Sequence, residues 1–409
     1  MQCGLLGRTL HHSYSPQIHK QLGNYCYALY ETEPEALEAF LRNESFVGIN
    51  VTIPYKKAVI PFCDDLSDRA RKLGAVNTLV KRNGKLIGHN TDYFGFAYMV
   101  KKTGICVQGK KALVLGSGGA SATVVAVLEE MGANVTVISR NGPDNYQNIV
   151  RHKDAAVIVN ATPVGMFPET QNCPIDLDVF IHLEGVLDLI YNPANTRLLQ
   201  AAQAKGIPCA NGLWMLVAQA KESAEWFLQK NIPDAIIDTI YHKLRFDMEN
   251  IVLVGMPGCG KSTVGQLLAQ KLGRKFIDAD AQIEALASKT IPEIFASGGE
   301  FEFRRLETQV LKELGKNSAL VIATGGGCVT RQENYPHLHQ NGKIIWLQRE
   351  IEQLPTDGRP LSQKNKLADM YMIRKPMYEA FSDMVVSNNQ SPEDTAEIIL
   401  SQIAQEVSL

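Results

Sequence analysis

Long apolar runs are missing from this sequence. No run approaches the roughly 18 apolar residues that a membrane-spanning helix requires. The first ten residues, Met1–Leu10, do not combine a basic stretch with an apolar core, so we expect no signal peptide. We therefore predict a cytoplasmic protein without a membrane partner.

An excess of charge of one sign is also missing. Lys and Arg number 41 and Asp and Glu number 43, which leaves a net charge of −2. This balance argues against binding to nucleic acid through bulk charge. The eight cysteines are scattered without a C-x-x-C pair, which argues against a zinc site and against a disulfide framework.

What the sequence does contain is two segments in which a strand runs into glycines and then a helix. They read KALVLGSGGA at 111–120 and NIVLVGMPGCGKST at 250–263. Each pattern delivers a helix N-terminus, where free N–H groups and the helix dipole favour a phosphate. Because 409 residues usually form two or three domains, we predict two separate α/β units.

Strand and helix patterns alternate around both segments, which predicts parallel sheets covered by helices. A hairpin with an Asn83-Gly84 turn precedes the α/β segment that contains the first glycine cluster. The two halves of the chain are predicted to join within residues 238–249. Strands are predicted at 112–115, 134–138, 155–160 and 185–189 in the first unit, and at 251–254, 275–277, 319–323, 343–347 and 384–387 in the second.

The first glycine segment is a variant dinucleotide fingerprint, with Ser121 in place of the third glycine. The following strand ends at Arg140, where an NAD site usually has an acidic residue and an arginine suits a 2′-phosphate. We therefore predict NADP, with a solvated surface arginine as the alternative. Taken singly, Lys56 is better explained as a surface lysine and Asp92 as the N-cap of the helix that begins at Tyr93.

Eight ordered motifs give residues 1–240 a resemblance to shikimate dehydrogenase. They are HSYSP at 12–16, NVTIPYK at 50–56, GAVNTL at 74–79, GHNTD at 88–92, GSGGAS at 116–121, NATPVGM at 160–166, DLIYNP at 188–193 and NGLWMLVAQA at 211–220. The resemblance implies a catalytic pair, Lys56 and Asp92, and shikimate-binding residues Ser13, Ser15, Thr52, Asn77, Asp92, Tyr191 and Gln219. It also implies NADP(H)-binding residues Gly116, Ser117, Gly118, Gly119, Ala120, Ser139, Arg140, Asn160, Thr162 and Gly212, with Tyr191 beside the nicotinamide half.

The same resemblance implies a substrate-binding lobe at 1–105, completed by a helix at 212–240, and a Rossmann-type NADP-binding lobe at 106–211. One departure concerns the stretch after the second strand of the nucleotide lobe. Where the family usually has a second basic residue, this chain has Asp144. The expected preference for NADP is therefore weaker than usual.

The second glycine segment, Gly255–Ser262, satisfies G-x-x-x-x-G-K-[ST] completely. This pattern predicts backbone N–H groups around phosphates, with Lys261 on the β- and γ-oxygens and Ser262 on Mg²⁺. Asp278 and Asp280 end the next strand, where capping a helix is the alternative role. Gly325–Gly327 ends the third strand, where missing side chains let a ligand approach the backbone.

Residues 248–405 resemble shikimate kinase through GMPGCGKST, FIDAD at 276–280, FEFRRLE at 301–307, ATGGG at 323–327, DGRPLS at 357–362 and RKPMY at 374–378. The resemblance implies a P-loop kinase domain at 248–409, similar to nucleoside monophosphate kinases, with a five-stranded parallel sheet. ATP would lie along Gly258, Cys259, Gly260, Lys261, Ser262 and Thr263, and Mg²⁺ at Ser262 and Asp278. Shikimate would contact Asp280, Arg304, Gly326 and Arg374, and Arg359 would act from a lid on the transferring phosphoryl group.

Together, the two resemblances imply a bifunctional enzyme of aromatic amino-acid biosynthesis. The first half would reduce 3-dehydroshikimate with NADPH, and the second would phosphorylate the resulting shikimate with ATP and Mg²⁺. One alternative is an NAD-using quinate/shikimate dehydrogenase fused to a kinase. Another is a ligand-sensing regulator that has lost catalysis, against which stand the intact Lys56, Asp92, Lys261, Ser262 and Asp280.

Overall fold

The structure is a computed structural model that describes residues 1–10, 13–43, 45–354 and 364–408. It divides into two compact units. The first comprises Met1–Tyr191 and Leu198–Leu244, and the second comprises Asn192–Arg197 and Arg245–Leu409. Six residues from within the predicted nucleotide lobe therefore group with the second unit.

The N-terminal part of the first unit forms a mixed six-stranded sheet of order β2-β1-β3-β5-β6-β4. Its strands are β1 (Gln2–Gly7), β2 (Cys26–Glu31), β3 (Gly48–Val51), β4 (Asp65–Leu66), β5 (Thr78–Arg82) and β6 (Lys85–His89). The predicted hairpin is confirmed, because β5 and β6 pair antiparallel and both Asn83 (φ 50°) and Gly84 (φ 77°) adopt left-handed conformations. Those are the dihedral angles that a type I′ turn requires. The helices here are α1 (Ser15–Leu22), α2 (Leu37–Asn43), α3 (Asp68–Leu73) and α4 (Asp92–Thr103).

A second, wholly parallel sheet follows in the order β11-β10-β9-β7-β8. It contains β7 (Lys111–Leu115), β8 (Asn134–Ile138), β9 (Val157–Asn160), β10 (Gly185–Asp188) and β11 (Cys209–Ala210), with helices α5 (Gly119–Glu130) and α6 (Arg197–Ala204). The predicted parallel arrangement is confirmed, but the two-residue β11 is too short for a periodic pattern to indicate it. Because β8 and β9 lie on opposite sides of β7, a topological switch point lies between β7 and β9.

The single helix predicted for 212–240 is wrong. The structure has two helices, α7 (Leu213–Leu228) and α8 (Ala235–Met248). Gln229 ends α7 in a left-handed conformation (φ 51°), and Pro233 follows before α8 begins. A proline lacks the N–H that would continue the helix, so the chain turns there.

The second unit is built on one parallel sheet of order β13-β14-β12-β15-β16, which confirms the predicted five strands. The strands are β12 (Asn250–Val254), β13 (Lys275–Asp278), β14 (Leu320–Ala323), β15 (Gly342–Gln348) and β16 (Met384–Ser387). Around them lie α9 (Lys261–Leu272), α10 (Ala279–Ala287), α11 (Ile291–Lys316), α12 (Asn334–His339), α13 (Lys364–Phe381) and α14 (Pro392–Ser408). Helix α11 is two helices joined across a kink at Gly299 (φ 67°).

All eight cysteines are free thiols. Throughout the described ranges, no helix has both the length and the apolar character that crossing a membrane requires.

Helix α7 holds a buried carboxyl whose ionisation affects stability. Burial raises the pKa of Glu222 to about 7, although Arg69 lies 3.3 Å away and opposes the shift. The folded state therefore holds this proton more tightly than the unfolded state, so stability decreases as pH rises from about 4.5 to 7. We expect Glu222→Gln to remove this loss.

The measurement is the free energy of unfolding at pH 5 and at pH 8. Between these two pH values, the difference between Glu222→Gln and the wild type should change by about 2–3 kcal/mol in favour of the variant. Glu184→Gln, on an exposed carboxylate paired with Lys110, is the control and should show no such change. A difference that is equal at both pH values would contradict the assignment.

Candidate active sites

A cavity of about 430 Å³ in the first unit brings together residues that are far apart in the sequence. Residues at and just before the start of α1, at the end of β3, at the start of α4 and on one face of α7 all contribute to its lining. Its lining includes ten of the residues predicted to bind substrate or cofactor or to act on them: Ser13, Ser15, Thr52, Lys56, Asn77, Asp92, Ala120, Tyr191, Gly212 and Gln219. Ala120, from the first turn of α5, lines the same cavity, so the glycine segment adjoins it.

Lys56 and Asp92 form an ion pair within this cavity. The Lys56 Nζ atom lies 2.6 Å from Asp92 Oδ2, and the two side chains are 25% and 10% exposed. Asp92 is the first residue of α4, where the helix dipole favours a carboxylate. An ammonium held by one carboxylate keeps further N–H bonds for a ligand, because it has three donors.

Buried polar side chains next to the cavity form a hydrogen-bond network. Asn77 Oδ1 accepts from the Thr91 backbone N–H at 2.7 Å, and Thr91 Oγ1 lies 3.0 Å from Ser223 Oγ. Asn50 Nδ2 donates to the same Ser223 hydroxyl at 2.7 Å. Because each member has partners, the network fixes Asn77 and the start of α4.

Asn50 also lines the cavity, although it was not among the predicted site residues. A usable signal was present in its spacing. Asn50 and Thr52 are two residues apart at the end of β3, and that spacing places both side chains on one face of an extended segment. Asn50 is the first residue of the motif NVTIPYK, but the resemblance implied no role for it.

The glycine segment lies at the topological switch point of the parallel sheet. A β-carbon on Gly116 (φ 102°) would lie 2.8 Å from Cγ2 of Thr162, so this position requires glycine. No described atom lies within 4 Å of a β-carbon built on Gly118 or Gly119, where α5 begins. The open N-terminus of α5 therefore fits a pyrophosphate, as NADP(H) binding requires.

Ser121, the departure from the fingerprint, is buried and donates from Oγ to the Gly116 carbonyl at 2.7 Å. It closes the turn instead of disrupting it. On the other side of the switch point, Asn160 Oδ1 accepts from Thr162 Oγ1 at 2.7 Å, and its Nδ2 donates to Asp188 at 3.0 Å. These bonds fix the loop after β9.

The phosphate-binding loop of the second unit connects β12 to α9. Three of its glycines have positive φ: Gly255 (144°), Gly258 (83°) and Gly260 (98°). A β-carbon on Gly260 would lie 2.5 Å from Asn388 Nδ2. Lys261 Nζ donates to the carbonyls of Gly255 and Met256, at 2.9 and 3.1 Å, and is buried.

Ser262 and Asp278 lie together beside this loop. Ser262 Oγ donates to Asp278 Oδ2 at 2.8 Å, and Asp278 Oδ1 accepts from the backbone of Asp280 at 3.0 Å, capping α10. A hydroxyl and a carboxylate are oxygen ligands of the kind that Mg²⁺ takes in addition to phosphate and water. Among the described residues, no three Asp, Glu, His or Cys side chains are arranged so that they could hold a metal ion, and Mg²⁺ does not need such a group.

Two carboxyls converge on Gly325 at the end of β14. A β-carbon there would lie 2.7 Å from Glu307 Oε1 and 2.9 Å from Asp280 Oδ1. Neither oxygen has a hydrogen-bond partner within the described chain. Burial raises the pKa of both carboxyls; Asp278 adds to the shift of Asp280, and Arg304 opposes both shifts.

Arg304 and Arg374 flank these carboxyls. Arg304 Nη1 lies 2.7 Å from Oε2 of the wholly buried Glu307, and Arg374 Nη1 donates to the Gly326 carbonyl at 3.1 Å. Glu307 lay in the motif FEFRRLE, but its role as the partner of Arg304 was not predicted. Its three-residue spacing from Arg304 on a helix was the available signal. Arg359 lies outside the described residues.

Asn388 follows β16 and stabilises the phosphate-binding loop, although it lies more than 120 residues from that loop in the sequence. It is buried, its Nδ2 donates to the Cys259 carbonyl at 2.6 Å, and its Oδ1 accepts from Thr395 Oγ1 at 2.6 Å. No motif indicated it, because its partner lies in a distant part of the chain.

Replacing Asn388 by Ala should leave the Cys259 carbonyl and the Thr395 hydroxyl without these partners. We expect a loss of about 1–3 kcal/mol in the free energy of unfolding, together with weaker ATP binding in a calorimetric titration. The neighbouring Asn389→Ala, on an exposed side chain, is the matched control. Equal effects of the two variants would contradict the role given to Asn388.

Comparisons with known proteins agree with this geometry. The family model for the shikimate dehydrogenase substrate binding domain matches residues 5–79. A shikimate dehydrogenase (NADP(+)) of Clostridium beijerinckii is 33% identical over 258 residues, covering 58% of this chain and 96% of the relative. The chain belongs to the shikimate dehydrogenase family. The family model for shikimate kinase matches residues 257–406, so the chain is a fusion of a shikimate dehydrogenase with a shikimate kinase domain.

Solved structures show the same likeness over the first unit. A chorismate mutase/shikimate 5-dehydrogenase fusion protein from Clostridium acetobutylicum is 35% identical, with a TM-score of 0.58, and covers 60% of this chain and 97% of its own. A shikimate 5-dehydrogenase of Thermus thermophilus in complex with NADP(H) and shikimate is 30% identical, with a TM-score of 0.53, and covers 59% and 99%.

Proposed function

We propose that this shikimate dehydrogenase–kinase fusion catalyses two consecutive reactions. Its first unit reduces 3-dehydroshikimate to shikimate with NADPH, and its second unit transfers a phosphoryl group from ATP to the 3-hydroxyl of shikimate. The observation that carries the proposal is the Lys56–Asp92 pair, at 2.6 Å, in a cavity that also adjoins the glycine segment. That placement brings an acid–base pair to the place where a nicotinamide would meet its substrate.

In the first reaction, bound NADPH supplies the hydride. We assign to Lys56 the hydrogen bond to the C3 oxygen and the proton that this oxygen gains, with Asp92 orienting the ammonium. Ser13, Ser15, Thr52, Asn77 and Gln219 would hold the ring hydroxyls and the carboxylate, and Tyr191 and Gly212 would lie on the nicotinamide side. The lining of the cavity supports these assignments.

In the second reaction, bound ATP with Mg²⁺ supplies the phosphoryl group. Asp280 would accept a hydrogen bond from the attacking 3-hydroxyl, and Arg304 and Arg374 would hold the substrate carboxylate beside Gly326. Lys261 would move from the loop carbonyls to the phosphate oxygens, with Ser262 and Asp278 on the metal side. A raised pKa in the buried Asp280 suits a group that shares the hydroxyl proton.

One observation favours a second candidate, a dehydrogenase that prefers NAD and acts on quinate or shikimate. Asp144 stands where the family usually has a basic residue near the 2′-phosphate. Against this candidate, the C. beijerinckii relative bears the name shikimate dehydrogenase (NADP(+)), and Arg140 remains at the end of β8. We propose the NADP-dependent biosynthetic reaction, carried out in the cytoplasm, where free thiols persist.

A coupled assay on the purified full chain tests the proposal. Adding 3-dehydroshikimate should cause loss of NADPH absorbance, and adding ATP with Mg²⁺ should then yield shikimate 3-phosphate by mass spectrometry. Quinate with NAD is the competing substrate pair. If the first unit turned over quinate with NAD faster than 3-dehydroshikimate with NADPH, the second candidate would be correct instead. Formation of ADP without shikimate 3-phosphate would overturn the proposal for the second unit.

A further inference from the structure

Tyr378 lies on α13 and is completely buried. Its ring stacks on Trp346 of β15, with the two ring centroids 5.5 Å apart. Its hydroxyl lies 2.5 Å from the Gly326 carbonyl oxygen, and because a carbonyl oxygen can only accept, the hydroxyl donates. Burial raises the pKa of Tyr378 above its ordinary value, so the hydroxyl keeps the proton that this bond requires.

Arg374 shares the Gly326 carbonyl with Tyr378. The two residues are four positions apart on α13, so their side chains lie on the same face of the helix. Arg374 Nη1 donates to the Gly326 oxygen at 3.1 Å, and a side-chain hydrogen bond also joins the guanidinium to Tyr378. A guanidinium has no acceptor, so the tyrosine oxygen accepts from Arg374 while its proton goes to Gly326. Tyr378 therefore helps to fix the orientation of the guanidinium.

The glycine turn after β14 is the place where the two predicted substrate arginines converge. A β-carbon on Gly327 would overlap Nη2 of Arg304, and a β-carbon on Gly326 would lie 2.7 Å from Cδ of Pro257 in the phosphate-binding loop. Gly326 therefore lies between the loop that would hold ATP and the arginine that would hold the substrate carboxylate. The hydrogen bonds to its carbonyl fix the orientation of this peptide, which is planar.

We propose that Tyr378 is a positioning residue for shikimate in the second unit. Its hydroxyl holds Arg374 against the Gly326 carbonyl and keeps the guanidinium aligned for the substrate carboxylate before the substrate binds. A side chain that is preorganised loses less conformational freedom on binding, so the affinity for the substrate is higher. The inference rests on the proposed function, because it requires that the second unit binds shikimate through Arg374.

Tyr378→Phe removes the hydroxyl and keeps the ring that stacks on Trp346. In steady-state kinase assays of the full chain, the KM for shikimate should rise about fivefold to tenfold, the effect of losing one hydrogen bond of ordinary strength. The kcat and the KM for ATP should stay at the wild-type values, because Asp280 and the phosphate-binding loop are unchanged. A wild-type KM for shikimate in this variant would overturn the inference.

A double-mutant cycle separates positioning from a general structural effect. Arg374→Lys keeps the positive charge but loses the planar fork of donors, so by itself it should raise the KM for shikimate. Because Tyr378 acts through Arg374, adding Tyr378→Phe to Arg374→Lys should raise this KM no further. If Tyr378→Phe raised the KM by the same factor in both backgrounds, Tyr378 would act independently of Arg374 and the inference would be wrong.

Tyr371→Phe is the matched control. It removes a hydroxyl from the same helix, one that accepts a hydrogen bond from Gln348 Nε2 at 3.0 Å, and should leave the KM for shikimate unchanged. Calorimetric titration with ATP checks the fold of the second unit, and Tyr378→Phe should bind ATP with wild-type affinity. Loss of ATP binding in that variant would assign Tyr378 to the fold alone and overturn the inference. A wild-type chain that does not phosphorylate shikimate would instead overturn the proposed function.

Discussion

Replacing Lys56 by Ala is expected to lower kcat for the reduction of 3-dehydroshikimate by about 10²–10⁴-fold, the usual contribution of a positioned acid–base group. The ammonium lies 2.6 Å from Asp92 inside the cavity, and alanine supplies neither the proton nor the positive charge. Phosphorylation of added shikimate should continue at the wild-type rate, because Lys56 belongs to the first unit. Steady-state assays of both reactions on the same preparation measure the two effects.

Lys57→Ala is the control for this prediction, because it removes the adjacent, exposed lysine. It should leave both activities unchanged. Dinucleotide binding measured by fluorescence separates loss of chemistry from loss of the site, and Lys56→Ala should still bind NADPH. Reduction that survives in Lys56→Ala would show that another group supplies the proton.

Replacing Lys261 by Ala should abolish the second activity and leave the first intact. The lysine is buried at the start of α9 and donates to two carbonyls of the phosphate-binding loop. We expect kcat for shikimate phosphorylation to fall by about 10²–10³-fold or more, as when one preorganised donor to a developing charge is removed. NADPH-dependent reduction should proceed at the wild-type rate.

Loss of Lys261 also removes two hydrogen bonds within the loop, so folding has to be checked separately. Thermal unfolding of the variant should still show a folded second unit. Lys271→Ala, at the other end of α9 in an exposed pair with Glu397, is the matched control and should keep full kinase activity. Equal losses in the two variants would point to a structural effect on α9.

Local sequence patterns were sufficient to predict the elements that carry the sites. The hairpin at Asn83-Gly84 and the five parallel strands of the second unit are confirmed. Both could be predicted because their sequence signals lie within a few consecutive residues. The break after α7 was missed although the sequence contains a signal for it, because Pro233 follows Gln229 by four residues and interrupts a helix. The two-residue β11 carries no pattern at all.

The supporting residues were harder to find from the sequence. Asn50, Glu307 and Asn388 act through partners that the fold brings to them, such as Ser223 for Asn50 and the Cys259 carbonyl for Asn388. Glu307 faces Arg304 from one turn away, but only its complete burial distinguishes it from an ordinary surface ion pair. Burial depends on what packs above a residue, and a motif does not contain that information.

The sequence by itself determined where the phosphate-binding turns lie and which ordered motifs identify the two families. The spacing of the glycines and the order of strand, turn and helix patterns depend only on neighbouring residues, so they can be recognised without knowing the tertiary structure. Only the tertiary structure decided that Lys56 meets Asp92, that two buried carboxyls converge on Gly325, and that Asn388 donates to the Cys259 carbonyl. The physical reason is that distance and burial set the charge interactions of these groups, and both arise when remote segments pack together.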